Sequence, residues 1–92
     1  MEKAMEVDAT TAMFYPNPNN GEFVNVSLSN LEKGNLQVRV LDAAGRAVTT
    51  RTFAVEGSLS TTLTFDEQLS AGVYMIETLN AGRVQTQRLV VQ

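Results

Sequence analysis

From residue 12 onward, apolar and polar positions alternate with a period of two. Leu36, Val38 and Val40 interleave with Gln37 and Arg39, and Leu59, Thr61, Leu63 and Phe65 interleave with Ser60, Thr62 and Thr64. Near the end of the chain, Val84, Thr86, Arg88 and Val90 alternate with Gln85, Gln87, Leu89 and Val91. Successive side chains of a strand point to opposite faces, so this pattern predicts strands with one face turned inward. Seven are predicted, at 12–15, 22–29, 35–42, 47–55, 58–65, 73–79 and 83–91.

The connections favour antiparallel pairing. Asp42-Ala43-Ala44-Gly45 supplies a turn with a left-handed glycine, and Asn80-Ala81-Gly82 supplies another, so each joins its flanking strands as a hairpin. Leu31-Glu32-Lys33-Gly34 reads as a looser link. No segment offers the amphipathic helix that a parallel crossover needs; Asp66 to Ser70 has room for a single helical turn with Asp66 as its cap. Seven short strands in so short a chain predict an all-β fold, a seven-stranded antiparallel immunoglobulin-like β-sandwich, with a flattened barrel as the competing arrangement.

Composition narrows the picture. Ninety-two residues suffice for one small domain, and 43% hydrophobic with 18% charged residues places it among folded, globular chains. The net charge of −3, with seven Lys and Arg spread singly, leaves no basic patch for nucleic acid. With no cysteine, the core must hold the fold without disulfides. No stretch approaches the roughly 20 apolar residues of a membrane helix, and the first residues lack the order of a signal peptide. Residues 1–11 are mixed and weakly patterned and read as a linker stub behind an artificial start methionine, which makes 12–92 a domain taken from a longer protein.

Catalytic chemistry has little to build on. Histidine and cysteine are both absent, and Ser27, Ser29, Ser58, Ser60 and Ser70 have no obvious activating partner, so no enzyme and no cofactor is expected. Asp42 and Glu22, with Asp66 or Glu67, are the acidic residues that could meet around calcium. A turn-opening role for Asp42 and a capping role for Asp66 are the stronger readings, and no metal site is assigned. The aromatics Phe14, Tyr15, Phe23, Phe53, Phe65 and Tyr74 fall mostly at inward strand positions, which favours core packing over a sugar-stacking platform. Tyr15 and Tyr74 are expected to fill the core edge with their hydroxyls tied to loop backbone.

The densest local signal is Tyr15-Pro16-Asn17-Pro18-Asn19-Asn20-Gly21-Glu22-Phe23, which holds both prolines and leads into an apolar strand. Proline fixes φ and removes a donor, its preceding residue is pushed to extended geometry, and Asn20-Gly21 suits positive φ, so the run reads as a rigid turn. Three further motifs follow: Asp42-Ala43-Ala44-Gly45-Arg46, Leu69-Ser70-Ala71-Gly72-Val73-Tyr74 and Arg88-Leu89-Val90-Val91-Gln92. In this order, over roughly residues 13–92, they resemble the C-terminal sorting domain of proteins exported by the type IX (Por) secretion system of Bacteroidota. The family's tail commonly carries lysine where Arg88 stands, a change that keeps the positive charge.

The resemblance implies a noncatalytic secretion signal. A larger N-terminal passenger would cross the periplasm, reach the outer-membrane translocon, and lose the domain to a sortase-like cysteine peptidase, ending on the cell surface attached to anionic lipopolysaccharide or secreted. It assigns the targeting role to the segment from Gly72, Val73 and Tyr74 through Arg88, Leu89, Val90 and Val91. The turn motifs Tyr15, Pro16, Asn17, Pro18 and Gly21, and Asp42, Gly45 and Arg46, complete it. Physically, an exposed last strand offers its backbone edge to a partner sheet while alternate side chains give selectivity. A surface adhesive, spacer or carbohydrate-binding sandwich is the second reading. Leu79, Val84, Leu89, Val90 and Val91 near Arg83 and Arg88 also suggest a homodimer of the isolated domain, formed through edge strands or an exchanged terminal strand.

Overall fold

The computed structural model describes residues 11–92. The stub read at 1–11 therefore lies outside the described residues except for Thr11, which opens the first strand. The described residues form β1 (Thr11–Tyr15), β2 (Phe23–Ser29), β3 (Gly34–Leu41), β4 (Ala47–Val55), β5 (Ser58–Thr64), β6 (Gly72–Asn80) and β7 (Arg83–Val91). Each agrees with its predicted segment to within one residue at either end.

All strand pairings are antiparallel. They build a three-stranded sheet, ordered β1-β2-β5, and a four-stranded sheet, ordered β4-β3-β6-β7. The chain passes from one sheet to the other three times, between β2 and β3, between β4 and β5 at Glu56-Gly57, and between β5 and β6. The strands thus separate into two packed sheets in an immunoglobulin-like sandwich, and the flattened barrel is set aside.

Period-two patterning puts its apolar face between the sheets. Val24, Val26 and Leu28 from β2 meet Leu36, Val38 and Val40 from β3, with Ile76 and Leu89 from β6 and β7, all between 0 and 2% exposed. Of the aromatic rings, Phe14, Phe65 and Tyr74 are buried, and Phe53 packs against the core from its edge. Tyr15 corrects the reading made for it: it points outward with 46% exposure. The inward position of β1 goes to Phe14, and its neighbour necessarily faces away.

Two turns close as read. The Asp42 carbonyl accepts the Gly45 N–H at 2.9 Å across the β3–β4 turn. Ala81 and Gly82 take φ of 53° and 79°, the two positive values that a tight hairpin between β6 and β7 requires. The looser link after β2 is fastened by Asn80, 7% exposed. Its Oδ1 accepts the Glu32 N–H at 2.8 Å, and its Nδ2 donates to the carbonyls of Glu32 and Asn35, each at 3.1 Å. This buried amide thus uses both hydrogens and its oxygen.

The helical turn expected at 66–70 does not form. The Phe65 N–H donates to the Glu22 carbonyl at 3.0 Å and the Leu69 N–H to the Gly21 carbonyl at 2.9 Å. The backbone on both sides of Asp66 is thus committed to the loop between β1 and β2, and the Leu69 N–H is no longer available to close a helical turn. Asp66 caps nothing; its side chain is 94% exposed and lies 3.8 Å from Arg51.

Leu63 on β5 is 3% exposed and belongs to the core cluster. Truncation to alanine removes that contact and leaves a cavity, so Leu63→Ala should lower the unfolding free energy by about 2–4 kcal/mol in a urea titration. A loss under about 0.5 kcal/mol would contradict the packing seen here.

Candidate functional site at one pole of the sandwich

The four motifs, separated along the chain, meet at one end of the molecule. Gly72 at the start of β6 pairs with Val91 at the end of β7, and Leu41, at the end of β3, pairs with Met75. The Asp42 turn faces Ala71 to Tyr74 across a shallow hollow of about 240 Å³. A second hollow, about 510 Å³, lies between Asp42, Arg46 and Thr49 on one side and Phe65 to Ser70 with Tyr74 on the other. The Tyr15–Phe23 segment closes over the same end, because Asn19 forms a parallel bridge with Val91.

Asn19 is the centre of this pole. It is 2% exposed. Its backbone N–H donates to the Val90 carbonyl at 2.7 Å, and its own carbonyl accepts the Gln92 N–H at 2.9 Å. Its side-chain Nδ2 donates to the carbonyls of Pro16 at 3.0 Å and Phe23 at 2.9 Å, while Oδ1 accepts the Gly21 N–H at 2.7 Å. One residue therefore shapes the loop internally and ties it to the last strand.

Asn17 continues the attachment. Its Nδ2 donates to the Arg88 carbonyl at 2.9 Å and its Oδ1 accepts the Val90 N–H at 3.0 Å. The side-chain amide supplies the donor and acceptor that a continuing strand would take from its backbone. Tyr15-Pro16 and Asn17-Pro18 are both cis peptides.

Gly21 shows why a turn glycine stands at this position. Its φ is +87°, and a Cβ placed there would come within 2.5 Å of the Leu69 carbonyl oxygen. The loop bearing Leu69, half-buried against the core, can approach only a residue with no side chain. Tyr74 completes the join, 8% exposed, with its hydroxyl donating to the Ser70 carbonyl at 2.8 Å, as expected from the sequence.

The Asp42 turn is held by its carboxylate. Oδ1 accepts the N–H groups of Ala44 and Arg46, each at 2.9 Å, and Oδ2 accepts Arg46 Nε at 3.1 Å. The Arg46 N–H does most to hold this carboxyl below the usual aspartate range; the Ala44 N–H and the Arg46 guanidinium reinforce it against a partial desolvation that acts the other way. Both oxygens are thus engaged within the turn. Among the described residues no three His, Cys, Asp or Glu side chains converge as metal ligands.

The segment to which the sequence resemblance assigns targeting, Gly72 to Tyr74 and Arg88 to Val91, divides between two faces. Leu89 and Val91 point into the core at 0 and 3% exposure. On the outer face Val73, 47% exposed, pairs across the strands with the half-buried Val90, and Met75 pairs with the exposed Arg88. The edge of β7 is also divided. Asn17 and Asn19 occupy it from Arg88 to Gln92, so over these residues the backbone edge expected to be offered to a partner is already hydrogen-bonded. Towards Val84 and Thr86 it has no strand beside it among the described residues. There a cleft of about 330 Å³ runs between β1 and β7, floored by Phe14, Ile76 and Thr78. Of the cluster read as a self-association surface, Leu79 and Val84 are exposed at 38 and 58%, whereas Leu89 and Val91 are occupied by the core.

Asn17 and Gly21 were singled out from the sequence, but Asn19 was not. Its signal is local: it stands two residues before Gly21, where an asparagine side chain commonly accepts the N–H two residues on, as Oδ1 does here.

The sandwich and its motif-bearing pole define a small all-β domain whose pole is held by backbone-clamping turns. The family described as the secretion system C-terminal sorting domain matches residues 13–92, and the chain belongs to this family, that of the Por, or type IX, secretion system. It is a family of sorting signals, not of catalysts, and it serves secretion. No curated protein matches the chain.

Two measurements test the pole. Gly21→Ala forces both a strained φ and a backbone clash, and should cost roughly 2–4 kcal/mol in unfolding free energy; a loss below about 0.5 kcal/mol would mean that the two loops are not in contact. The lowered pKa of Asp42 makes its stabilisation present above the ordinary aspartate range and lost as pH falls through the lowered folded value. Between about pH 5 and pH 2 the unfolding free energy of Asp42→Asn should therefore fall less steeply than that of the parent chain. Parallel curves would show that Asp42 is not held this way.

Proposed function

We propose that this domain is the signal by which a passenger joined to its N-terminal side is delivered to the type IX translocon and carried across the outer membrane. A sortase-like cysteine peptidase then removes it, and the passenger is attached to anionic lipopolysaccharide at the cell surface or released. The family supports the secretion role. The observation that carries the reading is the meeting of all four motifs at one pole, where a partner could contact them together. One feature there suits recognition by another protein: the outward Val73, Val90 and Arg88, held at fixed spacing across β6 and β7.

The adhesive or carbohydrate-binding alternative draws no comparable support. Tyr15 is the one exposed aromatic ring, and a single ring is not a platform.

The test is a neutral reporter fused ahead of the chain in a host with an intact secretion system. The parent fusion should reach the surface or medium, and deletion of Arg88 to Gln92 should leave it in the periplasm. That deletion also strips Leu89 and Val91 from the core, so a second variant, Arg88→Glu with Val90→Thr, alters outward side chains alone. It should reduce export severalfold with little change in folding. Export of the deletion variant at the parent level would overturn the sorting proposal; unchanged export of the double variant would place recognition away from these two side chains.

A further inference from the structure

We infer that Asn17 and Asn19 are positioning residues of the sorting signal: the proline-flanked loop is a latch that holds Arg88 to Gln92 in register at the sheet edge. The inference rests on the sorting role proposed above, but its physical part stands on geometry alone.

A strand at the edge of a sheet is paired on one side only, and its last residues fray most readily. The end of β7 is in that position, with β6 alone beside it in the sheet. Four hydrogen bonds from the latch reach the other side. Asn17 binds the Arg88 carbonyl and the Val90 N–H through its side chain, and Asn19 binds the Val90 carbonyl and the Gln92 N–H through its backbone. These are outward-facing backbone groups, because Leu89 and Val91 alternate with them and turn toward β6 and the core.

The two asparagines have different tasks. Asn19 is buried, and its side chain fixes the loop that carries both contacts, so its replacement disturbs the whole pole. Asn17 is exposed, and its amide hydrogen bonds reach only the last strand. Asn17 is therefore the residue through which the latch can be loosened without unfolding the domain. Loosening it lets the outward pair Val73 and Val90, and Arg88 beside Met75, lose their fixed spacing, and a partner that reads these side chains loses a rigid target.

Amide hydrogen exchange on the full chain tests the latch directly. In Asn17→Ala the amides of Leu89, Val90, Val91 and Gln92 should exchange about tenfold faster, the effect of losing two hydrogen bonds from a local opening equilibrium. The core amides of Val24 and Val38 should be unchanged. Asn17→Asp keeps an acceptor for Val90 but sets a carboxylate against the Arg88 carbonyl, and should show the same acceleration. Unchanged exchange across residues 88–92 in both variants would overturn the latch.

The reporter fusion separates this inference from the sorting reading. With Asn17→Ala the parent level of export should fall severalfold; full export despite accelerated exchange would overturn the positioning role. A parent fusion that never leaves the cell would count against the sorting reading itself, and the exchange rates would still decide the latch.

Discussion

The fold depends on buried backbone groups finding partners where its strands stop. A sandwich of seven short strands has many ends, and without cysteine it has no disulfide to staple them. Asparagine amides do that work here. Asn19 serves three groups of its own loop with its side chain and two groups of the last strand with its backbone, and Asn80 does the equivalent at the opposite pole for the link after β2. An amide suits this role because it offers two donors and an acceptor without charge, so burial costs little once all three are used. Asp at either position would put an acceptor where a donor is needed, and leave carbonyls facing a carboxylate.

The two poles use one device to different ends. At the Asn80 pole the clamp fastens a connection that carries none of the motifs. At the Asn19 pole it fastens the loop to the last strand, and the Gly21–Leu69 approach brings in the segment leading to Gly72. The Asp42 turn reaches the same region through the pairing of β3 with β6. Sequence motifs spread over most of the chain thus become one surface because two loops share hydrogen bonds and close packing and strand pairing brings the Asp42 turn beside them.

Much of this was legible in the sequence, for a physical reason. Strand positions follow from period-two burial, a local property, so Leu36, Val38 and Val40 identify β3 without reference to any partner. The hairpin turns were legible because positive φ demands glycine at Gly45 and Gly82. What failed were choices decided by distant segments. A helical turn after Asp66 is reasonable locally, but Phe65 and Leu69 give their N–H groups to a loop more than forty residues earlier. Tyr15 looked like a core-edge residue until the alternation on β1 gave the inward place to Phe14. The role of Asn19 is likewise nonlocal: its carbonyl meets Gln92, and no periodicity along the chain reports that contact.

The division of β7 bears on how such a signal works. Leu89 and Val91 are core residues, so they cannot be offered to a partner while the domain is folded. What is offered is set by their burial: once those two side chains are anchored, the pleat of the strand turns Arg88 and Val90 outward and places them opposite Met75 and Val73. The alternate positions of the terminal motif therefore have complementary tasks, Leu89 and Val91 fixing the strand and Arg88 and Val90 facing outward. A linear peptide of the same five residues would carry the same chemistry without that spacing. The folded sandwich supplies the geometry, which gives a physical reason for a sorting signal to be a whole domain rather than a short tail.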